Sequence, residues 1–213
     1  MQNRERLQGL YVLTDENLTP PERLVQSVGL AIAGGCRIVQ YRDKTSNSEI
    51  RLKQARSLRA LCANSNALFI INDDIDLAIA ADADGVHLGE HDENINSARK
   101  QLGERLIGIS CYNDLQQALQ AQHNGADYVA FGSFFQSSTK PNARPADISL
   151  LTHAKQSLDI PIVAIGGITL GNAASLIEAG ADMLAVITDV FASHDITSAA
   201  NNYTQLFDSY KDR

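Results

Sequence analysis

Short apolar runs separated by longer amphipathic stretches recur along the whole chain. The runs Leu10–Thr14, Cys36–Arg42, Leu68–Ile71, Gly85–Leu88, Leu106–Ser110, Tyr128–Gly132, Pro161–Ile165 and Met183–Ile187 have the length and composition of buried strands. Helical periodicity fills the intervals near 22–33, 48–64, 75–81, 94–102, 114–123, 147–157 and 170–179, and again at about 197–210. Eight strand-then-helix units predict a single (β/α)8 TIM barrel over residues 1–213, with a doubly wound open sheet as the competing arrangement. Glycine punctuation agrees. Ala33-Gly34-Gly35, Asn124-Gly125-Ala126-Asp127 and Ala179-Gly180-Ala181-Asp182 each stop a helix just ahead of a strand. No linker, low-complexity tract or second domain interrupts the pattern. One connection stands apart: residues 133–145 carry no periodicity, the mark of a lid or binding loop.

Composition narrows the class. With 44% hydrophobic residues a sizeable core is within reach, and a net charge of −7 without a basic run argues against nucleic acid or an anionic membrane as partner. Cys36, Cys62 and Cys111 are odd in number and outside any CxxC spacing, as expected of reduced thiols in a cytoplasmic protein. Neither a secretory signal core nor an apolar run of membrane length is seen. Small-molecule substrates are therefore expected, and a homo-oligomer is left open.

In a barrel, chemistry should gather behind the strand C-termini, and the polar residues do collect there. The second strand ends in Gln40, Arg42 and Lys44, which alternation places on one face after Ile38. Two cations on a face that begins apolar mean either water or an anion beside them. The third strand runs into Asn72-Asp73-Asp74, and the fourth into Gly89-Glu90-His91-Asp92. Asp73 and Asp92 are hard oxygen ligands suited to Mg²⁺, although any of Asn72, Asp73 and Asp74 could instead cap the next helix, and Asp92 the one near Asn94. The fifth strand ends at Ser110. Ser137, Ser138, Thr139 and Lys140 lie in the long loop and offer hydroxyls and a point charge. Gly166-Gly167 ahead of a helix can cradle a phosphate or simply make a tight turn. His87 and His91 are four apart, but His87 reads as strand, so a zinc pair is disfavoured. Together these residues describe two anion sites at one mouth, one cationic with Mg²⁺ and one of amides and hydroxyls. That pairing suits transfer of a group from a diphosphate.

These motifs resemble the thiamine phosphate synthase family. The matches are YVLTD at 11–15, QYRDK at 40–44, INDD at 71–74, DGVHLGEHD at 84–92, STK at 138–140, IPIVAIGGIT at 160–169 and AGADMLAVI at 179–187. The resemblance implies a transferase of thiamine biosynthesis. It joins 4-amino-2-methyl-5-hydroxymethylpyrimidine diphosphate to 4-methyl-5-(2-phosphoethyl)thiazole, or its carboxylated form, through a dissociative carbocation mechanism. It further implies that Gln40, Tyr41, Arg42, Asp43, Lys44 and Asn72 hold the pyrimidine diphosphate, and that Asp73 and Asp92 ligate Mg²⁺. Ser110 would touch the pyrimidine side and Lys140 the diphosphate. Ser137, Ser138, Thr139, Gly167, Ile187 and Thr188 would receive the thiazole phosphate. Arg42, Lys44, Lys140 and Ser110 are the expected catalytic residues. The chain departs from the family pattern at Ser133 and Gln136, where prolines are usual, which predicts a less pre-organised loop. It also departs at Ser137, Glu90, Cys111-Tyr112 and Thr188, and no role for Glu90 follows from the sequence. The alternatives are a TenI-like thiazole tautomerase and a non-catalytic thiamine phosphate binder, neither of which needs Mg²⁺-dependent diphosphate release.

Overall fold

A computed structural model describes residues 6–90, 92–136 and 144–211. Eight strands follow one another in chain order around a closed, all-parallel ring: β1 Gly9–Leu13, β2 Ile38–Tyr41, β3 Leu68–Asn72, β4 Gly85–Leu88, β5 Leu106–Tyr112, β6 Tyr128–Phe131, β7 Ile162–Ile165 and β8 Met183–Val186. β8 returns to pair with β1, Leu10 opposite Leu184, so the open-sheet alternative is excluded. The described helices are α1 Leu24–Ala33, α2 Ser48–Asn64, α3 Ile75–Ala80, α4 Ile95–Leu102, α5 Leu115–His123, α6 Ser149–Ser157, α7 Leu170–Glu178, α8 Thr188–Phe191 and α9 Ile196–Lys211. The four-residue α8 has no counterpart in the sequence reading; one turn is too short to show a period.

Strand alternation sorts the core into two layers. Tyr11, Leu13, Ile38, Leu68, Ile70, Tyr128, Val163 and Met183 fill the barrel interior. Their sequence neighbours, such as Val12, Val39, Phe69, Ile71, Val129 and Ala164, face outward against the helices. The inner layer is bulky at the bottom and becomes polar toward the strand C-termini, which opens a cavity at that end.

The opposite, N-terminal face carries a repeated device. Asp84, Asp127 and Asp182 stand just before β4, β6 and β8, and each carboxylate accepts the backbone N–H of Phe69, Ile107 or Ile162 at 2.8, 2.8 and 2.9 Å. Each is also met by a cation from a neighbouring helix segment: Arg59 at 3.7 Å, Arg99 at 2.6 Å and Lys155 at 2.6 Å. Arg99 additionally donates to the carbonyls of Gly103, Arg105 and Gly125, collecting chain ends that no helix satisfies. This end of a barrel is where stability rather than chemistry is expected. Asp127→Ala should therefore lower unfolding free energy by about 2 kcal/mol, the worth of charge-assisted hydrogen bonds, with substrate KM unchanged. Chemical denaturation alongside steady-state kinetics tests this.

Candidate active site at the barrel mouth

A cavity of about 840 Å³ opens at the C-terminal ends of the strands. From β2 it receives Gln40 and Arg42, from β3 Asn72, from β5 Ser110, from the turn after β7 Gly166 and Gly167, and from the β8–α8 junction Ile187 and Thr188. Tyr41 and Asp43 are not brought to it. Alternation turns Tyr41 outward, where its hydroxyl donates to Gln54 at 2.5 Å. Asp43 folds its own loop, accepting from Thr45 N at 2.8 Å and Ser46 N at 3.0 Å. Partial burial pushes the Asp43 carboxyl up, but these bonds outweigh it and hold the group below the usual carboxylate range. Ser137, Ser138, Thr139 and Lys140 lie outside the described residues, as does His91.

Lys44, Asp73 and Asp92 stand together at the rim. Lys44 Nζ is 3.3 Å from Asp73 Oδ2, and the Asp92 carboxyl lies beside that of Asp73. Burial first, then Asp92 beside it, push the Asp73 carboxyl above its ordinary value, and Lys44 offsets this only in part. The capping alternatives are settled by geometry. Asp74 caps α3, accepting Leu77 N at 2.8 Å, and Arg51 steadies it at 3.0 Å. Asn94 caps α4, while Asp92 folds back to accept Gly89 N at 2.6 Å. Asp73 caps nothing and holds a left-handed backbone, φ 63°, with its N–H on His87 O at 2.9 Å. A non-glycine residue in that region is strained, and the strain aims the carboxylate away from the helix and toward Asp92. Two carboxylates with one lysine fit a hard divalent ion that completes its shell with phosphate oxygens and water. Among the described residues no cluster of three or more His, Cys, Asp or Glu side chains offers an all-protein metal site.

Arg42 is anchored from both sides. Thr14, buried in the β1–α1 loop, accepts Arg42 N at 2.8 Å and donates to Arg42 O at 3.1 Å, and Glu16 lies 3.4 Å from the guanidinium. Across the cavity, Gly166 and Gly167 turn with φ of 104° and 60° into α7. Thr169 and Asn172 close its first turn with a reciprocal capping box.

Glu90 acquires a partner here. It faces Arg144 at 3.7 Å, whose guanidinium also lies 5.4 Å over the Tyr112 ring. A bulge between Ser110 and Tyr112 sets that ring at the mouth. The stem of the long loop is held by hydrogen bonds where prolines are usual: Ser133 N donates to Arg144 O, Ser133 O accepts Ala146 N, and Ser133 Oγ donates to Phe135 O at 2.6 Å. The sequence gives no site role to Tyr11 or Tyr128, and weighs His87 only as a disfavoured zinc ligand. Alternation alone would have placed all three in the interior.

Comparison with known proteins points to one family. A family model described as thiamine monophosphate synthase matches residues 10–190. A thiamine-phosphate synthase of Nitrosococcus oceani is 50% identical over 205 residues, covering 96% of this chain and 94% of that protein. One from Acidithiobacillus ferrooxidans is 47% identical over 210 residues, covering 97% of each. The solved thiamine phosphate pyrophosphorylase of Pyrococcus furiosus superposes with a TM-score of 0.90 at 36% identity, covering 97% of this chain and 98% of that one. A 3-hexulose-6-phosphate synthase at 18% identity and a TM-score of 0.70 shares the fold alone.

Proposed function

The chain belongs to the thiamine monophosphate synthase family, and from that premise we propose how its barrel mouth makes thiamine phosphate. The substrates are 4-amino-2-methyl-5-hydroxymethylpyrimidine diphosphate and 4-methyl-5-(2-phosphoethyl)thiazole or its carboxylated form. The observation that carries the assignment of roles is the carboxylate pair Asp73–Asp92 set against Lys44 beside a cavity that Arg42 lines.

Asp73 and Asp92 would hold Mg²⁺, which the raised Asp73 carboxyl supports, since a second cation there would relieve the crowding of like charge. The ion would neutralise charge on the diphosphate as it leaves. Gln40, Asn72 and Ser110 hold the pyrimidine diphosphate in the cavity, with Arg42 and Lys44 taking up negative charge on its oxygens. Gly167, Ile187, Thr188 and the hydroxyls of Ser137, Ser138 and Thr139 hold the thiazole phosphate. Diphosphate departs with the C–O bonding pair, leaving a cation delocalised into the aminopyrimidine ring. The thiazole nitrogen lone pair then forms the C–N bond. No strong general base is required; the site works by stabilising charge and aligning two reactants. Lys140, at the diphosphate, should matter for departure rather than affinity, so Lys140→Ala is expected to lower kcat about a hundredfold with little change in thiazole phosphate KM. Single-turnover kinetics would show this.

The reaction is tested by diphosphate release from the purified protein. Release that needs both substrates and Mg²⁺ supports the proposal. Thiazole phosphate binding without any release would move the chain to a tautomerase or a silent binder. Among the described residues no helix is long and apolar enough to cross a membrane, and the three cysteines are buried and unbridged, which supports a cytoplasmic setting.

A further inference from the structure

Five side chains form a continuous hydrogen-bonded chain through the barrel, from the β2 wall to the β5 wall. Gln40 Nε2 donates to the Tyr11 hydroxyl at 2.6 Å, which lies 3.0 Å from the Tyr128 hydroxyl. Tyr128 is 3.2 Å from His87 Nδ1, and His87 Nε2 is 2.9 Å from Ser110 Oγ. The rings are packed as well as bonded: His87 stacks on Tyr128 at 5.6 Å, and Tyr11 meets Tyr128 edge-on at 6.2 Å. A Cβ on Gly108 would lie 2.0 Å from the Tyr128 ring, so the glycine makes room for it.

Once Gln40 donates, the order of protons along the chain is fixed. Tyr11 has already accepted from Gln40, so its own proton must go to Tyr128. Were Tyr128 to donate backward instead, the Tyr11 proton would be left buried without an acceptor, which costs about 1–3 kcal/mol. Tyr128 therefore donates to His87 Nδ1, and His87 carries its proton on Nε2, directed at Ser110. Ser110 then keeps its own hydroxyl proton for the cavity. At the other end Gln40 Oε1 is a buried acceptor with no partner, on a side chain that lines the same cavity. Burial pushes both phenols well above their ordinary value, so the protons of the chain stay in place.

We infer that Tyr11, Tyr128 and His87 are positioning residues that lock Gln40 as an acceptor and Ser110 as a donor, and so select an aminopyrimidine over its oxo counterpart. The inference rests on the proposed reaction for its ligand. An exocyclic amino group brings an N–H to Gln40, and a ring nitrogen lone pair can meet the Ser110 hydroxyl. A 4-oxo pyrimidine presents the opposite sense, a carbonyl oxygen beside a ring N–H, and meets an acceptor with an acceptor. The three residues act on the pyrimidine through Gln40 and Ser110, which would meet its hydrogen-bonding edge.

The test has two parts. In the wild-type protein, ¹⁵N NMR of labelled histidine should show His87 protonated on Nε2 and bare on Nδ1; the reverse tautomer overturns the proton order. Kinetically, Tyr128→Phe keeps the ring and removes the central link, which frees Tyr11 to donate to Gln40 Oε1 and lets the amide turn over. The ratio of kcat/KM for the 4-amino diphosphate over its 4-oxo analogue should fall about tenfold, with the KM for thiazole phosphate unchanged. Tyr11→Phe should do the same, which guards against a folding defect in one variant. A ratio unchanged in both variants, or a fall in thiazole affinity of equal size, overturns the inference. Wild-type protein that releases no diphosphate from the 4-amino substrate overturns the proposed reaction instead, and the histidine tautomer still decides the order of the chain.

Discussion

Asp73→Asn is expected to lower Mg²⁺-dependent diphosphate release by about a hundredfold or more, the scale of losing an electrostatic anchor for a leaving group, without unfolding the barrel. The choice of asparagine follows from the backbone. Asp73 sits at φ 63°, and asparagine tolerates that region better than other side chains. The substitution also removes a carboxyl whose ionised form burial and Asp92 disfavour. Its loss of the exposed Lys44 pair is worth little. Without Mg²⁺ the variant should therefore melt no lower than wild type. With Mg²⁺ the wild type should gain melting temperature and the variant should not. Asp73→Ala should lose activity equally, and also about 1–2 kcal/mol of stability to left-handed strain. Scanning calorimetry with and without Mg²⁺ separates the two losses. An active Asp73→Asn protein would end the ligand assignment.

Gly167→Ala should damage stability and activity together. Its φ of 60° is unfavourable for alanine, and a Cβ would lie 2.3 Å from the Gln136 carbonyl oxygen, a backbone atom that cannot swing aside. Left-handed strain of about 1–2 kcal/mol and overpacking of about 1–3 kcal/mol combine to about 2–5 kcal/mol. Relief requires the turn to move, and the turn lines the cavity where the thiazole phosphate is expected. Its KM should rise more than tenfold, since losing one charged hydrogen bond costs about 1.5–3 kcal/mol. Gly171→Ala is the control. Gly171 lies in α7 with its nearest contact, Thr169 Oγ1, 3.8 Å from an added Cβ. Alanine there should stabilise the helix by up to about 1 kcal/mol and leave KM alone. Equal behaviour of the two variants would remove the special role of the 166–167 turn.

The barrel was legible because each strand has two buried faces and each helix one, so the period changes at every junction. β4 and α2 fall where the apolar pattern puts them, at Gly85–Leu88 and Ser48–Asn64. β5 runs on to Tyr112 past the expected Ser110 because a bulge, which leaves no trace in hydrophobic spacing, extends it. Within the site, Gln40 and Arg42 could be read from alternation alone. The division of labour among Asn72, Asp73 and Asp74 could not. Three adjacent polar residues satisfy a capping rule equally well, and only the left-handed turn at Asp73 decides which is released. The hydrogen-bonded role of Tyr11, His87 and Tyr128 is not legible for another reason. Their bonds join strands far apart in sequence, and an interior tyrosine reads as ordinary core until its hydroxyl is seen to have a partner. Glu90 likewise needed the fold to bring Arg144 across from the loop after β6.

The pairing of β1 with β8 also governs how the chain comes into being. β1, made before β8, waits for it before its second edge is covered. Until then both flanks of a seven-strand sheet offer unpaired N–H and C=O groups, and such parallel, long-range pairings are slow to form. A nascent or truncated chain ending before Met183 is therefore an aggregation hazard that the finished ring is not. The closing strand also leads directly into Ile187 and Thr188. The act that removes the last exposed edge is thus the same one that delivers the last wall of the cavity, so no half-closed intermediate carries a finished site.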